Sequence, residues 1–207
     1  MVSGVATDRR RSRHEETAQA IVEAAWQLAE QNGLAGISVG DLARRMQMRA
    51  QSLYTYFPSK HAIYDRMYRE GFEELLASMG DLGGRDRRSR HENAVEALAE
   101  AAEAFVDFAA ERPTRYQLMF QRTVPGFEPS EESYAVALRA LEVMRVWLSR
   151  AGIRGEREVD LWRALLLGLA GEQLANDPGG RRWRSLARRA ARYFVAFAGS
   201  EKGRPHD

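Results

Sequence analysis

The chain has 207 residues, a formal net charge of +2 and 44% hydrophobic residues, enough to bury one generous core or two small ones and too apolar for global disorder. It holds no cysteine, which excludes disulfides and thiolate metal sites. The near-neutral total is silent about nucleic acid. Distribution says more, because Arg9, Arg10, Arg11 and Arg13 cluster directly before the first helical segment.

Apolar spacing predicts a first helix from about Arg13 to Gln31, opened by a capping box of Ser12 and Glu15 and stopped at Asn32-Gly33. Ala18, Ile21, Val22, Ala25, Leu28 and Ala29 form its buried stripe. Ser38 and Asp41 make a second capping box, after which Val39, Leu42, Ala43 and Met46 share one helical face. Gln47 and Met48 fill a tight turn. In the short helix that follows, Leu53 and Phe57 point inward and leave Arg49, Gln51, Ser52, Thr55 and Tyr56 outside. That layout suits a helix-turn-helix whose second helix enters a major groove. Ser59, after Pro58, caps a long fourth helix with a stripe of Ile63, Tyr64, Met67, Tyr68, Phe72, Leu75, Leu76 and Met79.

Gly80 to Arg90 reads as a Gly- and Arg-rich loop, and Ser89 with Glu92 as a capping box for a helix that ends before Pro113. A short helix covers Thr114 to Phe120, and a loop with Pro125, Gly126 and Pro129 follows. Ser130 then opens a helix to about Ala151, with Tyr134, Leu138, Leu141, Met144 and Leu148 inward and Gly152 as its stop. The last two helices are expected over Glu156 to Asn176 and Arg181 to Ala198, joined by Asp177-Pro178-Gly179-Gly180. No segment alternates like a half-buried strand. The expected fold is all-α: an N-terminal three-helix helix-turn-helix domain plus a larger C-terminal helical bundle, about nine helices in total. The arm and helix-turn-helix would occupy residues 1–60, the connecting helix 61–80, and a ligand-binding and dimerisation domain 81–207.

Leu53-Tyr54-Thr55-Tyr56-Phe57-Pro58-Ser59-Lys60 closely resembles the signature of the TetR (tetracycline repressor-like) family of transcriptional regulators. Asp41-Leu42-Ala43 and the Gly33 to Ser38 spacing fit it too. The resemblance implies double-stranded operator DNA as partner, with Tyr54, Tyr56 and Lys60 on phosphates, where contacts set register and affinity but not sequence. Arg49, Gln51, Ser52 and Thr55 are the candidates for base edges: Gln51 can pair bidentately with adenine and Arg49 with guanine. Ser38 and Gly40 complete the expected DNA-binding set, Gly40 because it lets a phosphate approach the backbone amides. Two departures stand out. Gln47 replaces the small residue usual in the turn, and Arg49 replaces the usual Ser or Thr cap. A fainter likeness, in residues 112–120 and Trp162 to Gly168, points to one subgroup's C-terminal domain. Leu167 stands where that subgroup often has His, so no role of that His carries over.

The resemblance also implies a repressor released from a palindromic operator by a small apolar ligand. Phe72, Leu76, Phe105, Phe108, Tyr116, Met119, Phe120, Tyr134, Leu138 and Trp162 are its candidate lining. A homodimer through the last two helices is expected from the wide apolar face of Trp183, Leu186, Ala187, Ala190, Ala191, Phe194, Ala198 and Phe197. Leu166 belongs to the same interface, where the small Gly168 and Gly171 would let helices come close. The alternative is an all-α ligand carrier or interaction protein that has lost its operator. The four histidines lie in different segments without metal-ligand spacing, and no phosphate loop or nucleophile elbow is present, so neither catalysis nor a cofactor is expected. The first apolar stretch is interrupted by charge too early for a signal peptide, and no run is long enough to span a membrane; a cytoplasmic protein is expected.

Overall fold

The computed structural model describes residues 3–80 and 92–201, with side chains described over 9–79 and 94–198. The expected linker and its Ser89–Glu92 capping box lie outside those residues, apart from the start of the fifth helix. Among the described residues there are nine α-helices and no strand: α1 Ser3–Asn32, α2 Val39–Arg45, α3 Ala50–Leu53, α4 Lys60–Gly80, α5 Glu92–Glu111, α6 Pro113–Phe120, α7 Glu131–Arg150, α8 Glu156–Asn176 and α9 Ala187–Glu201. They form two compact units. The first comprises residues 1–71 with 114–134, the second 72–113 with 135–207. The division differs from the one expected along the chain, because α6, its loop and the first turn of α7 join the N-terminal unit.

In the first unit α1 starts ten residues earlier than its capping signal suggested. Ser12 sits inside the helix, its hydroxyl donating to Glu16 (2.9 Å) rather than capping anything. Nothing between Ser3 and Ser12 breaks a helix except Gly4, so the four arginines ride on helical turns and not on an extended arm. Further along, α1 buries more than the expected stripe, since Ala24 and Trp26 are enclosed as well. Trp26 lies under the guanidinium of Arg115 from α6, 4.5 Å from its ring centre.

The α6–α7 segment grips α4 at several points. Asp65 on α4 accepts from the backbone N–H of Ser130 (2.6 Å) and from the hydroxyls of Ser130 (2.9 Å) and Ser133 (2.8 Å). Ser133 is fully buried, so this shared carboxylate satisfies a hydroxyl that would otherwise cost about 1–3 kcal/mol to leave unpaired. Arg69 pairs with Glu132 one turn away, and the Phe127 ring lies among His61, Tyr64 and Tyr68.

In the second unit α9 packs on α5 with Ala187, Ala191, Val195 and Ala198 buried. Alongside that seam runs an ionic ladder. Arg184 meets Asp107 (2.6 Å) and Glu111 (3.4 Å), Arg188 meets Glu96 and Glu103 (3.1 Å), and Arg192 meets Glu96 (2.8 Å). The last helix starts later than Arg181. Gln173 of α8, itself buried, accepts from the N–H groups of Trp183 and Arg184 and donates to the carbonyls of Asp177 and Gly180, holding the chain in turns there. In α7 the inward row is Val136, Ala140, Met144 and Leu148 with Trp147, whereas Tyr134 (50% exposed) and Leu138 (48%) face out. Met144 and Leu148 point inward as expected and Leu141 is half-buried, but the N-terminal half of the expected stripe is displaced, because both rows are apolar there at helical spacing.

Candidate nucleic-acid interface

The helix-turn-helix is built from local signals that all work. Ser38 caps α2: its oxygen accepts from the Asp41 N–H (3.0 Å) and its hydroxyl donates to the Asp41 carboxylate (2.6 Å). That hydrogen bond, followed by one from Arg44 (2.7 Å), holds the Asp41 carboxyl below the usual carboxylate range. The helix ends in a Schellman turn, with Met48 N–H to Ala43 carbonyl at 2.9 Å and Gln47 N–H to Arg44 carbonyl at 3.2 Å. Gln47 occupies the left-handed region there, at φ 53°, where glycine would be at ease.

The recognition helix proper is a single turn, shorter than the expected Arg49-to-Tyr56 span. Arg49 precedes it in extended conformation and makes no capping hydrogen bond. Beyond Leu53 the chain tightens into turns, with Thr55 N–H reaching the Ser52 carbonyl (3.2 Å) and the Thr55 hydroxyl donating to the same oxygen (2.7 Å). Pro58 keeps the helical turns from running past Phe57, since it holds the preceding residue out of the helical region. Leu53 and Phe57 are buried; Arg49, Gln51, Ser52, Tyr54 and Thr55 are exposed on the other face, and Gly40 is open at the start of α2.

Two candidate phosphate contacts are braced from behind. The Lys60 ammonium lies 3.4 Å from the Ala35 carbonyl and 5.4 Å from the Tyr64 ring centre. The Tyr64 hydroxyl in turn donates to the Leu34 carbonyl at 2.5 Å. Tyr56 stacks on His14 of α1, ring centres 4.5 Å apart and 21° from parallel. Sequence reading missed His14, because nothing local tells that a residue 42 positions upstream covers the recognition segment. Arg45, though basic and adjacent, is drawn toward α1 by Gln27 (2.8 Å) and Gln31 (3.4 Å).

The other candidate residues scatter. Of the proposed ligand lining, Phe72, Phe105, Phe108 and Trp162 are buried in the second unit and Leu76 is half-buried there. Tyr116, Met119 and the half-buried Phe120 belong to the first unit, where the Tyr116 and Phe120 rings meet at 5.4 Å. Tyr134 and Leu138 are turned outward, away from any interior lining. Of the proposed interface, Leu166, Ala187 and Ala191 are taken up by the monomer's own core, and Trp183, Ala190, Gly171 and Phe194 are half-buried. The Phe194 ring lies 5.2 Å from that of Trp162. Gly168 is exposed on the same face of α8 as the exposed Leu161, and on α9 Tyr193 and Phe197 are exposed as well. Leu161 and Tyr193 could have been found from a second stripe running alongside the first.

Residues 21–67 match the N-terminal domain of bacterial regulatory proteins of the tetR family, and residues 98–174 match the tetracyclin repressor-like C-terminal domain. The chain belongs to the TetR family. Its relatives are transcriptional regulators, not enzymes. The HTH-type transcriptional regulator YobS of Bacillus subtilis (strain 168) is 32% identical over 101 residues, 49% of this chain and 50% of YobS; the chain thus spans about half the length of the curated relative it matches. Among solved structures, the TetR family regulator PfmR of Thermus thermophilus is 25% identical with a TM-score of 0.60, over 85% of this chain and 97% of PfmR. A TetR-family regulator of Streptomyces coelicolor shares the fold at 19% identity and a TM-score of 0.66, over 90% and 83%. FadR of Bacillus subtilis, solved in complex with stearoyl-CoA, shares it at 16% and 0.64, over 85% and 96%. No helix among the described residues is long and apolar enough to cross a membrane.

Proposed function

We propose that this TetR-family protein is a cytoplasmic, homodimeric repressor that holds a palindromic operator through α2 and α3 and lets go when a small, largely apolar molecule binds. The observation that carries the reading is the two-faced recognition segment: Leu53 and Phe57 are buried, while Arg49, Gln51, Ser52, Tyr54 and Thr55 stand exposed together. Gln51 and Arg49 supply base-edge chemistry, and Tyr54, Tyr56 and Lys60 supply phosphate contacts. For the ligand, the buried aromatics Phe72, Phe105, Phe108 and Trp162 are the candidates this reading keeps, and FadR with its stearoyl-CoA is a precedent of the same fold.

The switch is assigned to α4. It is one uninterrupted helix whose Lys60-to-Gly71 portion belongs to the first unit and whose remainder belongs to the second. A dimer reads two half-sites only when its recognition helices are about 34–36 Å apart, so a small tilt of such a rod is enough to lose register. A coupling of roughly 1–3 kcal/mol would lower operator affinity about 5- to 150-fold.

A gel shift against the DNA upstream of the protein's own gene tests binding. Gln51→Ala should relax preference at one base position at a cost of roughly 1–3 kcal/mol. Lys60→Ala should weaken all sequences alike and flatten the salt dependence by about one unit per protomer. Ligand affinity measured with and without saturating operator tests the switch; equal values would sink it.

A further inference from the structure

We propose that the N-terminal turns of α1 form a helical phosphate-binding strip, with Arg10 and Arg11 gripping the DNA backbone outside the bases that α3 reads. The proposal rests on the DNA-binding reading above and adds a contact to it. Its foundation is the juxtaposition of His14 with Tyr56. The stack of those two rings fixes which face of α1 is turned toward the recognition segment. In a helix the residues three and four before His14 share its face, and these are Arg11 and Arg10. They lie about one turn, roughly 5–6 Å, further out along the helix axis.

The same face runs inward as Ala18, Ile21 and Ala25, which are buried in the three-helix body. Where that body ends at Tyr56, the face carries no apolar residue and becomes basic. Its rotation is pinned from the other side as well: Glu15 accepts from Arg66 of α4 at 2.6 Å, and Gln19 accepts from the same guanidinium at 3.2 Å. That ion pair matters for charge too. Glu15 stands one turn from Arg11, but its carboxylate is already engaged by Arg66, and Glu16 is engaged by Ser12. Among the described residues no carboxylate pairs with Arg10 or Arg11, and both are exposed. Two long cations on a rigid helix, next to an aromatic at a phosphate-contacting position, suit a run of backbone phosphates and carry no base-reading chemistry.

A helical strip makes a prediction that a loose basic arm does not, namely that position on the wheel decides the effect. Arg9 lies well around the helix from His14, and it serves as the control. The measurement is the slope of log affinity against log salt for a duplex carrying the operator, with the full-length protein. Arg10→Ala with Arg11→Ala should lower the slope by about 3.6 for the bound dimer, two contacts per protomer at about 0.9 each, and weaken specific and random duplexes by the same factor. Arg9→Ala should leave the slope unchanged. Trimming about two base pairs from each end of the duplex should abolish the difference between the parent and the double variant. Helix content stays as in the parent, since alanine is the best helix former and both sites are exposed. An unchanged slope in the double variant, with Lys60→Ala still lowering it by about 1.8 for the bound dimer, overturns the strip and leaves the helix-turn-helix reading standing. An equal loss in Arg9→Ala overturns it as well, by reducing the effect to net charge. If the parent protein binds no duplex at all, the underlying reading fails with it.

Discussion

Gly71 of α4 and Met119 of α6 touch so closely that a Cβ added to Gly71 would lie 2.7 Å from the methionine sulfur and 3.2 Å from its Cγ. The missing side chain is what lets the two helices approach at this point. Two effects oppose one another in Gly71→Ala. Alanine favours the helix by about 1 kcal/mol, while crowding a buried methionine costs roughly 1–3 kcal/mol. Met119 is flexible, so the crowding should fall near the low end and the single variant should be neutral to mildly destabilising. In a Met119→Ala background the same substitution should instead stabilise by about 1 kcal/mol. Urea unfolding of all four members of the cycle checks this; additivity would mean that the sulfur does not feel position 71.

The turn between α2 and α3 offers a cleaner gain. Gln47 holds φ at 53° and is exposed, so it bears the cost of the left-handed conformation without burying anything. Gln47→Gly should raise stability by up to about 1 kcal/mol, whereas Gln47→Val should lower it by more than that. Thermal melts of the two variants settle the sign.

Stability should fall at both ends of the pH scale, for opposite reasons. Glu15 is held below the ordinary carboxylate range by its hydrogen bond from Arg66 and then by that residue's charge. Its contribution is therefore complete above about pH 4.3 and lost as pH drops through the lower folded value. Burial raises Tyr64 and Tyr68 to about 12, so their contribution is complete below about pH 10 and lost as pH climbs through about 12. Denaturation midpoints across the range should show a shallower acid limb in Glu15→Gln and a shallower alkaline limb in Tyr68→Phe.

The exposed apolar residues of α8 and α9 should govern association. Leu161, Tyr193 and Phe197 are 58%, 60% and 61% exposed, large apolar side chains of a kind that mark association surfaces. Tyr193→Glu or Phe197→Glu should convert the proposed dimer to a species near 23 kDa with helix content intact. Ala191→Glu, by contrast, places a charge in the α5–α9 seam and should unfold the second unit. Sedimentation and circular dichroism separate the two outcomes.

What could be read in advance was whatever depended on neighbours in sequence. Ser38 with Asp41, Ser59 ahead of α4, Pro113 after α5 and Gly152 after α7 each act within four residues, and each does what its spacing announces. The same locality misled at Ser12, where a capping pair is present but nothing upstream forces a helix to begin. In α7 two apolar rows compete, and only the packing of other elements decides between Leu138 and Ala140. The grip of Asp65 on Ser130 and Ser133, and of His14 on Tyr56, joins residues tens of positions apart by polar or aromatic contact. No periodicity marks such pairs. The exposed residues of the α3 segment were legible because they are what remains once Leu53 and Phe57 are assigned inward; the supports behind them were not.

The carboxylate of Asp65 has a consequence for synthesis. Its hydroxyl partners lie 65 and 68 positions later, with all of residues 72–113 belonging to the other unit in between. As the chain leaves the ribosome, α1 to α4 emerge long before α6 and the start of α7. The helix-turn-helix unit therefore stays unfinished, with Asp65 unclasped and the Tyr64 and Tyr68 rings lacking Phe127, until the chain has been made as far as Ser133. A nascent chain released early would present a helix-turn-helix sequence without the closure that steadies its supporting helix. Closure of this helix-turn-helix unit thus waits on residues translated well after the helix-turn-helix itself, and chains terminated before Ser133 lack it.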